Sequence, residues 1–335
     1  MNEKRVILQV KNLSKDFQVK GKKLGSRKAV LHALQEIDLE IHEGEVLGVI
    51  GESGCGKSTL GRCLVGLHKP TKGEILFDGK SILGRKAKEK LEICKNIQMI
   101  FQDPYSSLDP RHTASDSVSE PMVVHKTVKG RAALEERVLE LFQQVGLDVQ
   151  HMNRYPHEFS GGQRQRLNVA RAISINPRVV ICDEPVSALD VSIQAQVINL
   201  LKRLQKTYNL AYVFISHDLS VVKYVSDRIV IMYLGRIVEI CRGGDIYKNP
   251  LHPYTQALLS AIPPESPDEE KERIVLRGEV PSPIGEQRGC PLSGRCARCM
   301  DRCRNEMPKL KQQGEEGHQV ACFLYENEET GIGGL

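Results

Sequence analysis

Residues Gly51-Glu52-Ser53-Gly54-Cys55-Gly56-Lys57-Ser58 fit the pattern G-x-x-x-x-G-K-[ST] without a mismatch. The segment follows a short apolar run at 45–50 and precedes Leu60, Leu64 and Leu67 at helical spacing. That placement, after a strand and opening a helix, is what a phosphate-binding loop needs. Its glycines let backbone N–H groups turn inward around phosphate oxygens, and the helix start adds partial positive charge. In such a loop Lys57 would reach the β- and γ-phosphates and Ser58 would ligate Mg²⁺. The complementary segment is Val179-Val180-Ile181-Cys182-Asp183-Glu184, an apolar strand ending in carboxylates. Asp183 would then stand beside the Mg²⁺ at the C-terminal edge of a sheet. Glu184, next in line, is placed to orient or deprotonate an attacking water.

Two further groups have chemical potential. Ser160 begins Ser160-Gly161-Gly162-Gln163-Arg164-Gln165-Arg166, with Leu167, Ala170 and Ile173 following at helical spacing. Ser160 suits an N-cap, and two glycines there leave backbone N–H groups open to an anion. The residues alone fit either a plain capped helix or a second anion site. The other group is cysteine. Five of the ten cysteines (Cys290, Cys296, Cys299, Cys303 and Cys322) crowd near the end of the sequence. In a reducing compartment such clustering points to metal before disulfides. Four thiolates on a Pro/Gly-rich stretch suit an iron–sulfur cluster or a structural zinc ion, and thiolate chemistry does not choose between them.

These residues need a scaffold that brings segments far apart in sequence to one edge. Apolar strand-sized runs at 179–182, 211–216 and 229–233 alternate with an amphipathic helix at 193–207. That alternation predicts an α/β domain with a largely parallel sheet. Leu134, Val138, Leu141, Phe142 and Val145 mark one face of a helix over 131–145, and the stretch from about 85 to 176 reads as a mostly helical insertion. Beyond about 245 the chain turns Pro-rich, with Pro250, Pro253, Pro263, Pro264, Pro267, Pro281 and Pro283, as a linker and small appendage would. A hydrophobic content of 40%, a charged content of 27% and a net charge of +5 are ordinary for a globular chain. No apolar run approaches the roughly 18 residues of a membrane-spanning helix. No secretory signal opens the sequence, so a cytosolic location is expected, with any membrane role arising by docking.

Taken together, the motifs resemble those of the ATP-binding-cassette (ABC) ATPases. Ser160-Gly161-Gly162-Gln163 is similar to the family's signature motif, which faces the γ-phosphate held by an opposite subunit. Gln102, within Ile100-Phe101-Gln102-Asp103-Pro104, resembles the glutamine that senses Mg²⁺ and touches the membrane partner. Ser187-Ala188-Leu189-Asp190 resembles the loop linking two sites across the dimer, and His217 resembles the switch histidine near the γ-phosphate. Phe17, after the first strand, would stack on adenine; the basic, Gly-containing segment 20–28 follows it. Gly51, Ser53, Gly54, Cys55, Gly56, Lys57, Ser58 and Thr59 would line the phosphates, with Ser58, Gln102 and Asp183 around Mg²⁺. The resemblance implies a P-loop NTPase α/β core with an inserted helical subdomain (residues 1–245), then a small Cys-rich C-terminal domain (246–335).

Asn249-Pro250-Leu251-His252-Pro253-Tyr254-Thr255-Gln256-Ala257-Leu258-Leu259 and the cysteine-rich tail resemble the oligopeptide/dipeptide importer branch, and specifically its F-type ATPase subunit. That resemblance implies a [4Fe–4S] cluster on Cys290, Cys296, Cys303 and Cys322, with Cys299 a bystander and zinc the alternative. It also implies ATP hydrolysis that energises peptide uptake from the inner face of the cell membrane. The partners would be a second ATPase subunit or another copy of this chain, two transmembrane permeases and, indirectly, a substrate-binding protein; nucleic acid is not expected. Relatives with the same machinery import nickel complexes or glutathione, and a soluble ABC ATPase is a further alternative.

Overall fold

The computed structural model describes residues 5–19, 29–262, 272–285, 287–314 and 317–326. The basic segment 20–28 and the prolines Pro263, Pro264 and Pro267 lie outside them. Two long strands, β1 (Val6–Val19) and β2 (Ala29–His42), are followed by β3 (Val46–Ile50), helix α1 (Lys57–Leu64), and strands β4 (Lys72–Phe77) and β5 (Lys80–Ser81). Next come α2 (Ala87–Asn96), β6 (Ile97–Ile100) and three helices, α3 (Ala114–Val124), α4 (Arg131–Val145) and α5 (Gly161–Ile173). Strand and helix then alternate through β7 (Val179–Asp183), α6 (Val191–Tyr208), β8 (Ala211–Ile215), α7 (Leu219–Val225) and β9 (Arg228–Tyr233), with β10 (Arg236–Arg242) returning beside β9. The remainder holds α8 (Asp245–Lys248), α9 (Pro253–Ser260), α10 (Asp301–Asn305), β11 (Lys311–Gln312) and β12 (Gln319–Val320).

The larger sheet runs β11-β12-β10-β9-β3-β8-β7-β6, and its five strands from β9 to β6 are parallel. Every residue of β3, β7 and β8 is buried. Their continuous apolar runs follow from cover on both faces, as parallel sheets require. Side chains of β3 alternate between two cores: Leu47 and Val49 pack with β1, β2 and α1, whereas Val46 and Ile50 face the helical side with Phe142, Leu167 and Leu201. The smaller sheet, ordered β2-β1-β4-β5, is antiparallel and closes the first core.

The helix expected over 131–145 is α4, with Val138, Leu141, Phe142 and Val145 buried as its spacing requires. The stretch 85–176 is mostly helical, with α2 to α5, yet it is not wholly an insertion beside the sheet, because β6 leaves it to pair with β7 in the main sheet, from Ile97↔Val179 to Ile100↔Cys182. At four residues, β6 is too short for its period to stand out between helices. Nor is the tail simply hung on a linker. Its β12 extends the core sheet by pairing with β10, and His318 Nε2 lies 2.7 Å from the buried Glu239 carboxylate on that strand.

Candidate functional site

β3 stops at Ile50, and the chain turns through residues 51–56 into α1. The turn depends on Gly56, whose φ is 105° and whose hypothetical Cβ would lie 2.4 Å from Ala33 O. No L side chain fits that space or that backbone. Lys57 opens α1 and is only 5% exposed. Its ammonium donates to Gly51 O at 2.6 Å and Glu52 O at 3.0 Å, which folds the side chain across the loop's mouth.

Ser58 follows on the same helix and donates from Oγ to Asp183 Oδ1 at 2.8 Å. Asp183 ends β7, almost wholly buried. Burial pushes its carboxyl above the usual range, with Ser58, Arg62 and Lys57 pulling the other way and Glu184 adding to the rise. A hydroxyl and a carboxylate facing each other are hard oxygen donors, a set that fits Mg²⁺. A divalent charge here would offset the cost of keeping Asp183 ionised away from water.

Glu184 is where three of the expected residues meet. Its Oε2 accepts from Gln102 Nε2 at 2.9 Å and lies 3.4 Å from His217 Nδ1. Gln102 follows β6 and His217 follows β8, so the C-terminal ends of three neighbouring parallel strands converge on one carboxylate. Gln102 thus hydrogen-bonds Glu184, and among the described residues no hydrogen bond joins it to Ser58 or Asp183. Glu184 also has a left-handed backbone, with φ of 46°, a conformation non-glycine residues adopt at a cost of order 1–3 kcal/mol. Its N–H is held by Ile215 O at 2.9 Å. Nothing in the sequence signals this strain.

Ser160 caps α5. Its Oγ accepts from Gln163 N–H at 3.3 Å while its own N–H donates to Gln163 Oε1 at 3.0 Å, a reciprocal capping box. Gly161 and Gly162 form the first turn, and a Cβ on Gly162 would sit 2.4 Å from Ile193 Cγ2 on α6. Among the described residues no hydrogen bond joins this turn to the 51–58 loop. The Ser187–Asp190 loop links Glu184 to α6, with Ser187 Oγ donating to Glu184 O at 3.2 Å.

One expectation needs correction. Phe17 lies within β1, not after it; its ring meets His68 edge-on at 5.4 Å and Lys15 Nζ at 4.8 Å. The sequence could not reveal this because β1 is longer than its apolar pattern, bending through register shifts between Val10 and Asp16. In the cysteine-rich tail, among the described residues, no three His, Cys, Asp or Glu side chains are grouped around one point to hold a metal ion. The thiols are nonetheless neighbours. Burial and then Cys303, Cys322 and Cys296 push Cys290 up to about 12; burial and then Cys296 and Cys303 push Cys322 up to about 11. Cys299 adds to the rise at Cys296.

Sequence reasoning missed Tyr254, buried in the tail on α9, whose Oη accepts the N–H of Glu52 in the loop at 2.8 Å. Its distance along the chain hid this contact.

A family model described as "ABC transporter" matches residues 34–187, and one described as "Oligopeptide/dipeptide transporter, C-terminal region" matches 238–303. The putative oligopeptide transport ATP-binding protein YkfD of Bacillus subtilis is 48% identical over 326 residues, 97% of either chain. The oligopeptide transport ATP-binding protein OppF of Salmonella typhimurium is 46% identical, over 96% of this chain and 97% of its own. Among solved structures, a dimeric ATP-binding cassette in a post-hydrolysis state with ADP and Pi superposes with a TM-score of 0.63. It is 29% identical and covers 70% of this chain and 98% of its own.

Proposed function

The chain belongs to the ATP-binding subunits of ABC transporters, in the oligopeptide/dipeptide branch, and from that premise we propose that it hydrolyses ATP to drive uptake of short peptides. The observation that carries this is the convergence of Ser58, Asp183, Glu184, Gln102 and His217 beside the Lys57 loop. Lys57 and the loop residues Gly51, Ser53, Gly54, Cys55, Gly56, Ser58 and Thr59 take the phosphates. Ser58 and Asp183 would hold Mg²⁺, which would supply charge neutralisation at the phosphates. Glu184 accepts the proton of, or aligns, the attacking water, and His217 and Gln102 hold that carboxylate in place. Catalysis is therefore positioning and electrostatics, with little covalent work for the protein.

The Ser160–Gln163 turn is spent on its own capping box and not on the chain's own loop. That supports a composite site in which the turn faces the phosphates of a paired ATPase, either a homologous subunit or a second copy. Two permeases would complete the assembly at the inner membrane face, fed by a peptide-binding protein. Among the described residues no helix is long and apolar enough to cross a membrane, so the membrane step rests with those partners. We divide the chain near residue 245, with the tail a Cys-rich domain docked on the cassette's sheet. Cys290, Cys296, Cys303 and Cys322 bear on one another electrostatically, which supports them as the ligands of a [4Fe–4S] cluster with a folding role. A cluster attaches its thiolates to separate corner irons, so it does not require them around one point as zinc does.

Uptake of a labelled tri- or tetrapeptide by cells lacking this chain tests the reading. The wild-type chain restores uptake, and the Lys57→Ala and Glu184→Gln chains do not. Restoration by Lys57→Ala would refute it.

A further inference from the structure

The phosphate loop carries a carboxylate of its own, and the cassette leaves it to the tail to neutralise. Glu52 is the second residue of the loop, and a negative charge there opposes a triphosphate. Arg295 reaches it from the opposite end of the sequence: its Nη1 lies 3.3 Å from Glu52 Oε2 and 3.5 Å from Oε1. The same Nη1 donates to Tyr233 Oη at 3.2 Å, at the end of β9. The Arg295 side chain is 10% exposed and that of Glu52 29%, so water screens the pair only in part. The backbone is clamped beside it. Glu52 N–H donates to Tyr254 Oη, and the Tyr254 and Tyr233 rings, both buried, pack 4.6 Å apart. Arg295 itself sits in a tight turn, its N–H and that of Cys296 both donating to Leu292 O, at 2.8 and 2.9 Å. The thiol-bearing turn therefore presents the guanidinium to the loop.

We infer that Arg295 is a positioning and charge-compensating residue of the nucleotide site, cancelling Glu52 so that the loop can accept a triphosphate. This rests on the ATP-binding reading above. Without the guanidinium, Glu52 is an uncompensated anion next to the phosphates, and the penalty grows with the ligand's charge. Removing Glu52 instead leaves Arg295 as a spare cation beside the site.

The test is titration of the full-length chain with Mg·ATP and Mg·ADP in a Glu184→Gln background that does not consume ATP. Arg295→Ala should weaken ATP binding roughly fivefold, the order a partly screened ion pair carries, and ADP binding less. Glu52→Gln should bind ATP at least as tightly as the parent. The double variant should return close to the parent, and Arg295→Lys should keep most of the affinity. Molar salt should shrink the Arg295→Ala defect, since it is a charge effect. Unchanged affinity in Arg295→Ala, or a double variant as weak as Arg295→Ala, overturns the inference. If Arg295→Ala does not fold, weaker binding by Glu52→Gln overturns it alone. Failure of the parent to bind ATP would strike the underlying reading instead.

Discussion

Glu184 combines an unfavourable backbone with two side-chain partners, so its carboxylate is held in place at an energetic cost that core packing alone does not require. Glu184→Gln keeps the size and the Gln102 contact but removes the proton acceptor. Turnover in the assembled transporter should fall by about a hundredfold or more, while ATP affinity stays within a few-fold; Lys57→Ala should lose the affinity itself. Rapid-quench hydrolysis alongside nucleotide titration separates the two outcomes. A second residue-scale effect concerns His252, fully buried, whose Nδ1 accepts the Tyr254 N–H at the start of α9. Burial depresses its pKa from 6.5 to about 4, with Glu239 pulling the other way. The folded state thus resists a proton that the unfolded chain accepts, so stability is retained above about pH 6.5 and lost as pH falls toward 4. The loss is about 1.4 kcal/mol per pH unit at most. Asparagine can supply the same cap without titrating, so the His252→Asn chain should melt with a flatter profile between pH 6.5 and 4.5. Parallel profiles would contradict this. Asp183, Glu184, Gln102 and His217 were legible because each ends an apolar strand or follows a fixed motif. The meeting of Gln102 and His217 on Glu184 was not, since it depends on the order of β6, β7 and β8 across the sheet.

Elements explain residues that motif reading assigns to chemistry alone. Gly162 belongs to the anion-facing turn, yet it also lets α5 approach α6, where Ile193 occupies the space of its missing side chain. Gly162→Ala should cost about 1–3 kcal/mol, as overpacking does. Adding Ile193→Ala, which removes the clashing methyl, should cost less than the two changes summed. Thermal melting of the four chains checks this, and strict additivity would argue against the contact. The strands β3, β7 and β8 and helices α4 and α6 could be read from period and apolarity. The pairing of β6 with β7 and of β12 with β10 could not. Both strands are very short, and their partners lie far away along the chain, so local pattern carries no trace of them.

At the scale of the whole molecule, the cassette presents a phosphate loop at one place and a capped, glycine-rich turn at another, with no hydrogen bond between them among the described residues. The arrangement fits the proposed pairing of chains, each completing the other's site. The chain alone should then be a poor ATPase, and its rate should depend on its paired ATPase, the permeases and the peptide-loaded binding protein. The most direct measurement is ATP hydrolysis by the purified chain at a concentration where it is monomeric, set against the reconstituted transporter in liposomes with and without a loaded peptide-binding protein. The account predicts slow turnover for the monomer and a rise of at least tenfold (about 1.4 kcal/mol of barrier) in the loaded complex, lost with Glu184→Gln. Full turnover by the monomer, or a complex indifferent to peptide, would contradict it.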